Sequence, residues 1–432
     1  MLVHRRCVPR GTVLGAARGP TPFGPGPTER VGKGETVEFN PLSDDFFEDP
    51  YQTYRWLRDE APCYRNEQFG FYALSRFDDV VNAHRDWRTF SNEHGLTLDQ
   101  LTDPDANVKG QSIIMMDPPD HDRMRKLVSR AFTPRAITRM EPIAQGVIDK
   151  YLDLVQGAGE WDAVTDFAGP FPVEVICAIL GVPEGDRQQI RHWTDEMLTR
   201  RPNDPSATPE GLHAGLSQIL YFLELIKDKR AHPDDDMIGQ LLEAEVETED
   251  GNRQRLTDEE IAGFATLLAA AGSETVTKLV GSAVVLFHRN PGEWQKLLAA
   301  PDKSVNAVEE VLRYWAPSQY QGRFSHLDSE WHGVTIPAGE PVFLVTGAAN
   351  RDEREYERPD VFDIDREIGL SIGLGHGIHS CLGAALARLE SRMAIDELAR
   401  RYPEYSVDEA GLRRVNMANV AGYSNVPVVV GA

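Results

Sequence analysis

Residues 373–390 read Gly373-Leu374-Gly375-His376-Gly377-Ile378-His379-Ser380-Cys381-Leu382-Gly383-Ala384-Ala385-Leu386-Ala387-Arg388-Leu389-Glu390. Glycines crowd a short loop, and a cysteine stands where a helix is signalled by Leu382, Leu386, Leu389 and Met393, at spacings of four, three and four. A cysteine at a helix N-terminus is expected to have a lowered pKa, because free N–H groups and the helix dipole favour thiolate, the form that binds metal. Gly375, Gly377 and Gly383 would let the backbone approach a flat macrocycle closely. The plainer reading, a structural cysteine before an ordinary helix, does not account for that flanking pattern.

Upstream, Thr257-Asp258-Glu259-Glu260 is a capping box ahead of a long apolar run, and nothing breaks the run before Pro291. The spacing predicts a helix of about 34 residues, or ~50 Å. Apolar on most sides from Phe264 to Ala271, it should cross the middle of a large domain. A second helix is expected over 304–315, before Pro317, and short strands over 333–336 and 341–345 around a Pro337-Ala338-Gly339 turn. In the N-terminal part, Asp49-Pro50 opens a helix bearing Tyr51, Tyr54, Trp56 and Leu57. Phe69 to Leu74 reads as a strand, 93–112 as a polar loop, and His121 to about Phe132 as a basic amphipathic helix. The expected fold is mainly α with a minor β portion, in the N-terminal third and near 320–346.

Bulk properties narrow the function. The 45 Lys and Arg against 68 Asp and Glu give a formal charge of −23. That excludes a general nucleic-acid binder, which needs a basic footprint, and disfavours an anionic membrane surface. No apolar run of the roughly 18 residues needed to span a bilayer is expected. Residues 1–38 carry Arg5, Arg6, Arg10 and Arg18, with many Pro and Gly and no apolar signal-peptide region, and read as a disordered tail. Residues 39–432 then form one large domain. The four cysteines, Cys7, Cys63, Cys177 and Cys381, have no CxxC spacing, so a reducing cytoplasm is the simplest compartment.

The 373–383 stretch resembles the haem-binding loop of the cytochrome P-450 family, F-G-x-G-x-H-x-C-x-G, with Leu374 at the usual Phe. The resemblance covers about residues 39–430 and implies the cytochrome P-450 fold of bacterial soluble type. It implies haem b (iron protoporphyrin IX) with Cys381 as axial thiolate, which favours O–O cleavage. Ala271-Gly272-Ser273-Glu274-Thr275 is similar to the family's oxygen-activation motif. Here Gly272 would open the helix and leave room for O₂, and Glu274 and Thr275 would deliver protons. Glu310 and Arg313 resemble the E-x-x-R pair, with Arg366 as partner in a structural role, while His121, Arg125, Arg323 and His379 match contacts to the haem propionates.

The resemblance implies a monooxygenase that inserts one oxygen atom from O₂ into a small hydrophobic organic substrate. Its expected pocket walls are 93–115, 195–220, Leu268 and Ala271, Ser318 to Gly322, and Ala421 to Tyr423. A peroxide-driven enzyme and a non-catalytic haem sensor are the alternatives; the first tends to lack the acid–alcohol pair that this chain keeps. Electrons are expected from a ferredoxin served by an NAD(P)H-dependent reductase. Between His121 and Arg139 the chain sets Arg123, Arg125, Lys126, Arg130, Arg135 and Arg139 against one acid, Asp122. Such a patch could steer an acidic donor despite the overall charge.

Overall fold

The fold is taken from a computed structural model, which describes residues 37–102, 110, 112–247 and 253–431. The expected tail over 1–38 lies almost wholly outside the described residues, as does part of the 93–115 segment. The chain opens with α1 (Asp44–Glu48) and α2 (Tyr51–Glu60), followed by β1 (Cys63–Asn66), β2 (Phe71–Leu74), α3 (Phe77–Arg85) and β3 (Phe90–Ser91). Then come α4 (Leu98–Thr102), α5 (Asp120–Val128), α6 (Pro134–Leu154), β4 (Glu160–Asp162), α7 (Pro170–Leu180), α8 (Arg187–Leu198), α9 (Pro209–Ala231) and α10 (Met237–Glu243). A small hairpin of β5 (Glu245–Glu247) and β6 (Arg253–Arg255) leads into α11 (Asp258–Arg289), α12 (Pro291–Ala299) and α13 (Ser304–Tyr314). The last third holds β7 (Gln321–Ser325), β8 (Ser329–Trp331), β9 (Val334–Ile336), β10 (Pro341–Leu344), α14 (Thr346–Ala349), α15 (Ala384–Arg401), β11 (Tyr405–Val407), β12 (Arg413–Arg414), β13 (Tyr423–Asn425) and β14 (Pro427–Val430).

α11 is the axis. Thr257 Oγ1 accepts from Glu260 N–H while the Glu260 carboxylate accepts from Thr257 N–H, so the predicted capping box is formed. The helix runs unbroken for 32 residues, about 48 Å at ~1.5 Å per residue, until Asn290 caps it and Pro291 starts α12. Every residue from Val276 to Phe287 is buried, which only a helix covered on all sides can satisfy. Its cover comes from α7, α8, α9 and α15. Phe264, Val280 and Val285 anchor the main apolar cluster with Phe167, Phe171 and Ile176.

Opposite lies a five-stranded sheet ordered β1-β2-β10-β7-β3. Its pairings are antiparallel except β2 with β10, where Tyr72 faces Val342 and Leu74 faces Leu344. The sequence places β structure here but not in two further sheets, β11-β14-β4 and β12-β13, formed mostly by the last thirty residues. The expected polar loop over 93–112 contains the short helix α4, with Leu98 and Leu101 buried. One expectation needs correction: Ala163–Leu180 is long and apolar enough to cross a membrane by length and composition. It is 83% buried inside the protein, so its apolar character is that of a core segment.

Candidate functional site

The loop ahead of α15 folds back on itself. Gly375 N–H donates to Ile372 O at 2.9 Å, Ser380 N–H to Gly377 O at 3.1 Å, and Cys381 N–H to Leu374 O at 2.9 Å. Gly375 and Gly377 stand at φ +71° and +70°, in the left-handed region that a side chain disfavours. At Gly377 the close approach is protein to protein, since a Cβ there would collide with the His84 carbonyl at the end of α3. Gly383 is different. It N-caps α15 at φ −84° and has free space around it. Close approach to a ligand is therefore not what Gly377 needs.

Cys381 lies three residues ahead of the first helical residue, with Gly383 N–H directed at its sulfur. Its residue surface is exposed, yet burial pushes its thiol pKa up, and Gly383 N–H, Arg125 and Arg388 offset this only in part. The expected lowering of the thiol pKa is thus reversed in the protein alone, because removal from bulk water outweighs the helix end. A bound cation would invert the balance, as it does for any coordinating thiol.

His121, Arg125, Arg323 and His379 gather near the cysteine, and among the described residues only His121 of these four meets a carboxylate, its Nδ1 lying 3.1 Å from Asp122 Oδ1. The His121 and His379 rings lie 4.5 Å apart, and the Nε2 atom of each is buried without a partner. Arg125, half-buried on α5, senses the Cys381 charge. Arg323 is only 3% exposed; it donates to Gly322 O at 2.7 Å and contacts His84 Nδ1 at 3.2 Å. Burial lowers its pKa to about 10, with Asp117 the opposing influence. Neither arginine has a carboxylate at ion-pair distance among the described residues. His379 is pushed down to about 2, by burial first and then by Arg323, His121 and Arg125. Buried unpaired cations are costly, so this pocket is built for an anionic group. A macrocycle with two carboxylates fits it, set beside an accessible thiol. His84 was not legible as a member, since its partner Arg323 lies 239 residues away.

The middle of α11 shows a second accessible patch. Ala271 is exposed although Ala269, Ala270, Ser273 and Glu274 are buried, and Thr275, four residues on, is partly exposed. The Thr275 hydroxyl donates to Ala271 O at 2.7 Å. Glu274 does not reach solvent. Its side chain is 3% exposed, and its Oε2 lies 2.9 Å from Lys278 Nζ, itself buried. Burial pushes Glu274 up, but Lys278, the bond with Asp195 of α8 and Arg191 together outweigh it and hold the carboxyl below its ordinary value. Gly272 does not open the helix; a Cβ there would lie 3.2 Å from Ile176 Cγ1, so the glycine lets α7 pack closely.

Behind the loop, Glu310, Arg313 and Arg366 do meet. Arg313 Nε and Nη2 donate to the Glu310 carboxylate at 2.7 and 2.8 Å, with both side chains 0% exposed, and Arg366 Nε stands 3.3 Å from Glu310 Oε2. The expected pocket walls divide. Leu268 is 7% exposed and Ala421 and Tyr423 are 2% and 3%, whereas Ser318 and Gln321 keep some surface. On the basic face Lys126, Arg130, Arg135 and Arg139 are exposed and have no ion pair among the described residues. Arg123 departs from the expectation, because Glu260 of α11 takes it as a salt-bridge partner.

Residues 212–404 match the cytochrome P-450 family profile. Cytochrome P-450 123 of Mycobacterium tuberculosis is 40% identical over 406 residues, covering 94% of this chain and all of that protein. Vitamin D(3) 25-hydroxylase of Pseudonocardia autotrophica is 38% identical, covering 92% of this chain and 97% of its own length. The crystal structure of P450BioI in complex with an acyl carrier protein ligated to hexadec-9Z-enoic acid superposes with a TM-score of 0.80 at 34% identity, over 89% of this chain and 99% of that one.

Proposed function

The chain belongs to the cytochrome P-450 family and is a haem monooxygenase supplied by a redox partner, and on that premise we propose that Cys381 is its axial thiolate, with His121, Arg125, Arg323 and His379 holding the haem propionates. The observation that carries this assignment is buried Arg323 and half-buried Arg125, neither with a carboxylate at ion-pair distance among the described residues, together with the orphaned Nε2 atoms of His121 and His379, beside an accessible cysteine. When bound, haem b supplies the activation of O₂ that places one oxygen atom in the substrate and releases the other as water, using two electrons and two protons.

The chain's own residues do the rest. Gly375 and Gly377 supply the left-handed turns that aim Cys381, and Gly383 N–H, directed at the sulfur, favours the thiolate. Glu310, Arg313 and Arg366 brace the segment that leads to this loop. Glu274 and Thr275 handle protons. The Thr275 hydroxyl, bonded to Ala271 O, gives up its proton only on rotating away, and its oxygen keeps lone pairs for an incoming donor. Gly272 contributes by seating α11 against α7.

A small hydrophobic substrate fits the accessible apolar surface at Ala271 and the vitamin D₃ named for one relative. The exposed cations of α5 and α6 favour an acidic ferredoxin, reduced by an NAD(P)H-dependent reductase, as electron donor. A cytoplasmic location agrees with the unpaired state of Cys63, Cys177 and Cys381. The test is spectroscopic: reduced wild-type protein under CO should show the red-shifted Soret band of thiolate-bound haem, and Cys381→Ala should not. A variant that keeps the band would overturn the ligand assignment.

A further inference from the structure

Helix α9 carries two apolar faces. One is used inside the molecule, where Gly211, Ala214, Gln218, Phe222 and Ile226 are buried and the helix packs on α8 and α11. The other looks outward. Leu212 is 65% exposed, Leu216 58%, Ile219 40% and Leu220 53%, with Leu223 half-buried beside them. A helix that serves only its own core is polar on its outer side. The other large apolar residues of comparable exposure, Ile143, Leu154, Val305, Leu327 and Val361, lie on other elements, and single exposed apolar residues are ordinary. On α9 they are aligned. Leu212, Leu216, Ile219 and Leu223 follow one another at spacings of four, three and four, the interval that keeps one seam facing a second helix.

We propose that this stripe is the interface of a homodimer, in which α9 pairs antiparallel with α9 of a second copy about a two-fold axis. The seam is self-complementary in that arrangement. Setting Leu216 against Ile219 of the second copy also sets Leu212 against Leu223 of the second copy, and the two-fold axis repeats both layers, so the four seam residues close on themselves. At each end Lys227, which is exposed, comes within one turn of the exposed Glu210 of the second copy. A seam of about three turns is small beside the ~800 Å² per partner of stable complexes, which places the dissociation constant in the micromolar range. An anionic membrane is the poorer occupant, because Glu210, Glu224 and Asp228 are exposed on the flank of the seam and the whole chain carries a formal charge of −23. The same net charge opposes two copies at long range, so association should tighten as salt screens it while the apolar seam persists.

Sedimentation equilibrium of the full-length holoenzyme tests this directly and should show a monomer–dimer equilibrium that tightens as salt rises. Leu216→Glu and Ile219→Lys each bring a charge into a central layer, once from either copy, and should raise the dissociation constant by on the order of 10²-fold. Mixed together, the two variants should recover a dimer, since in the antiparallel register a carboxylate then faces an ammonium. Leu154→Glu, at an exposed leucine of α6, should leave the equilibrium unchanged. All of these positions are exposed, so unchanged far-UV circular dichroism should show that each variant keeps its fold. A wild-type chain that stays monomeric through the micromolar range, a dimer that survives both single variants, or a mixture that fails to re-associate overturns the proposal. So does binding of the monomer to neutral phosphatidylcholine vesicles that Leu216→Glu abolishes, which would assign the stripe to a lipid surface.

Discussion

Replacing Glu310 with glutamine removes one negative charge from a site sealed off from water. The loss leaves Arg313, 0% exposed in its side chain, and Arg366 facing an amide in place of the carboxylate that stands 2.7–3.3 Å away. The other donors of Arg313 are already committed to the carbonyls of Asn350, Pro359 and Val361, so the guanidinium cannot turn to find another anion. Breaking a buried pair on one side costs about 3–5 kcal/mol, against roughly 0.3–0.5 kcal/mol for an exposed helical pair of the same spacing. The measurement is the urea midpoint by tryptophan fluorescence, with the thiolate Soret band followed on the same samples. Glu310→Gln should lower stability by an amount in the first range and release haem along with it. A double variant, Glu310→Leu with Arg313→Met, should lose less than the sum of the singles, because no fully buried charge is stranded. A loss under about 1 kcal/mol, or strict additivity, would refute this account of the triad.

Thr275→Ala should leave the fold intact, since the Ala271 carbonyl keeps its helical bond, but lower product formed per NAD(P)H consumed, by up to on the order of 10²-fold, with the difference released as peroxide. An unchanged product-to-NAD(P)H ratio counts against the role given to the hydroxyl. Charge reversal at Lys126 and Arg130, both exposed, should slow reduction by an acidic ferredoxin in stopped-flow measurements. The defect should shrink as salt rises past ~0.1 M, where the screening length is about 10 Å; rates indifferent to both mutation and salt would remove this face from consideration.

What the sequence made legible was local. The capping box at Thr257 and the unbroken run to Pro291 define α11 within a residue or two, because both signals lie within one helix. The Cys381 loop was legible for the same reason, its two left-handed glycines and its histidine being packed into a few positions. What failed depended on distant partners. Strands β4 and β14 are three and four residues long and lie more than 260 residues apart, so neither carries a periodicity that names the other. Arg123 belonged by composition to a free basic face until Glu260 captured it. The Glu310–Arg313 spacing reads the same in a solvated pair as in a buried one, and only the cover from 350–366 distinguishes them. The Lys278 contact, four residues from Glu274, was visible in spacing but not in burial. The thiol pKa reversed because depth, which no motif encodes, outweighs the helix end.

The parallel pairing of β2 with β10 sets a timetable for the nascent chain. Tyr72 cannot find Val342 until 342 − 72 = 270 further residues have been made. At ~5–20 residues per second this is a wait of roughly 15–50 s. During it the β1–β2 hairpin carries an open apolar edge, Phe71 to Leu74, which is the kind of surface that recruits other chains. Cys381, the residue that completes the site begun by His84 and Arg323, is made later still. Cofactor loading is therefore a late event in the life of each polypeptide, and a shortage of haem would be met by chains that are already complete.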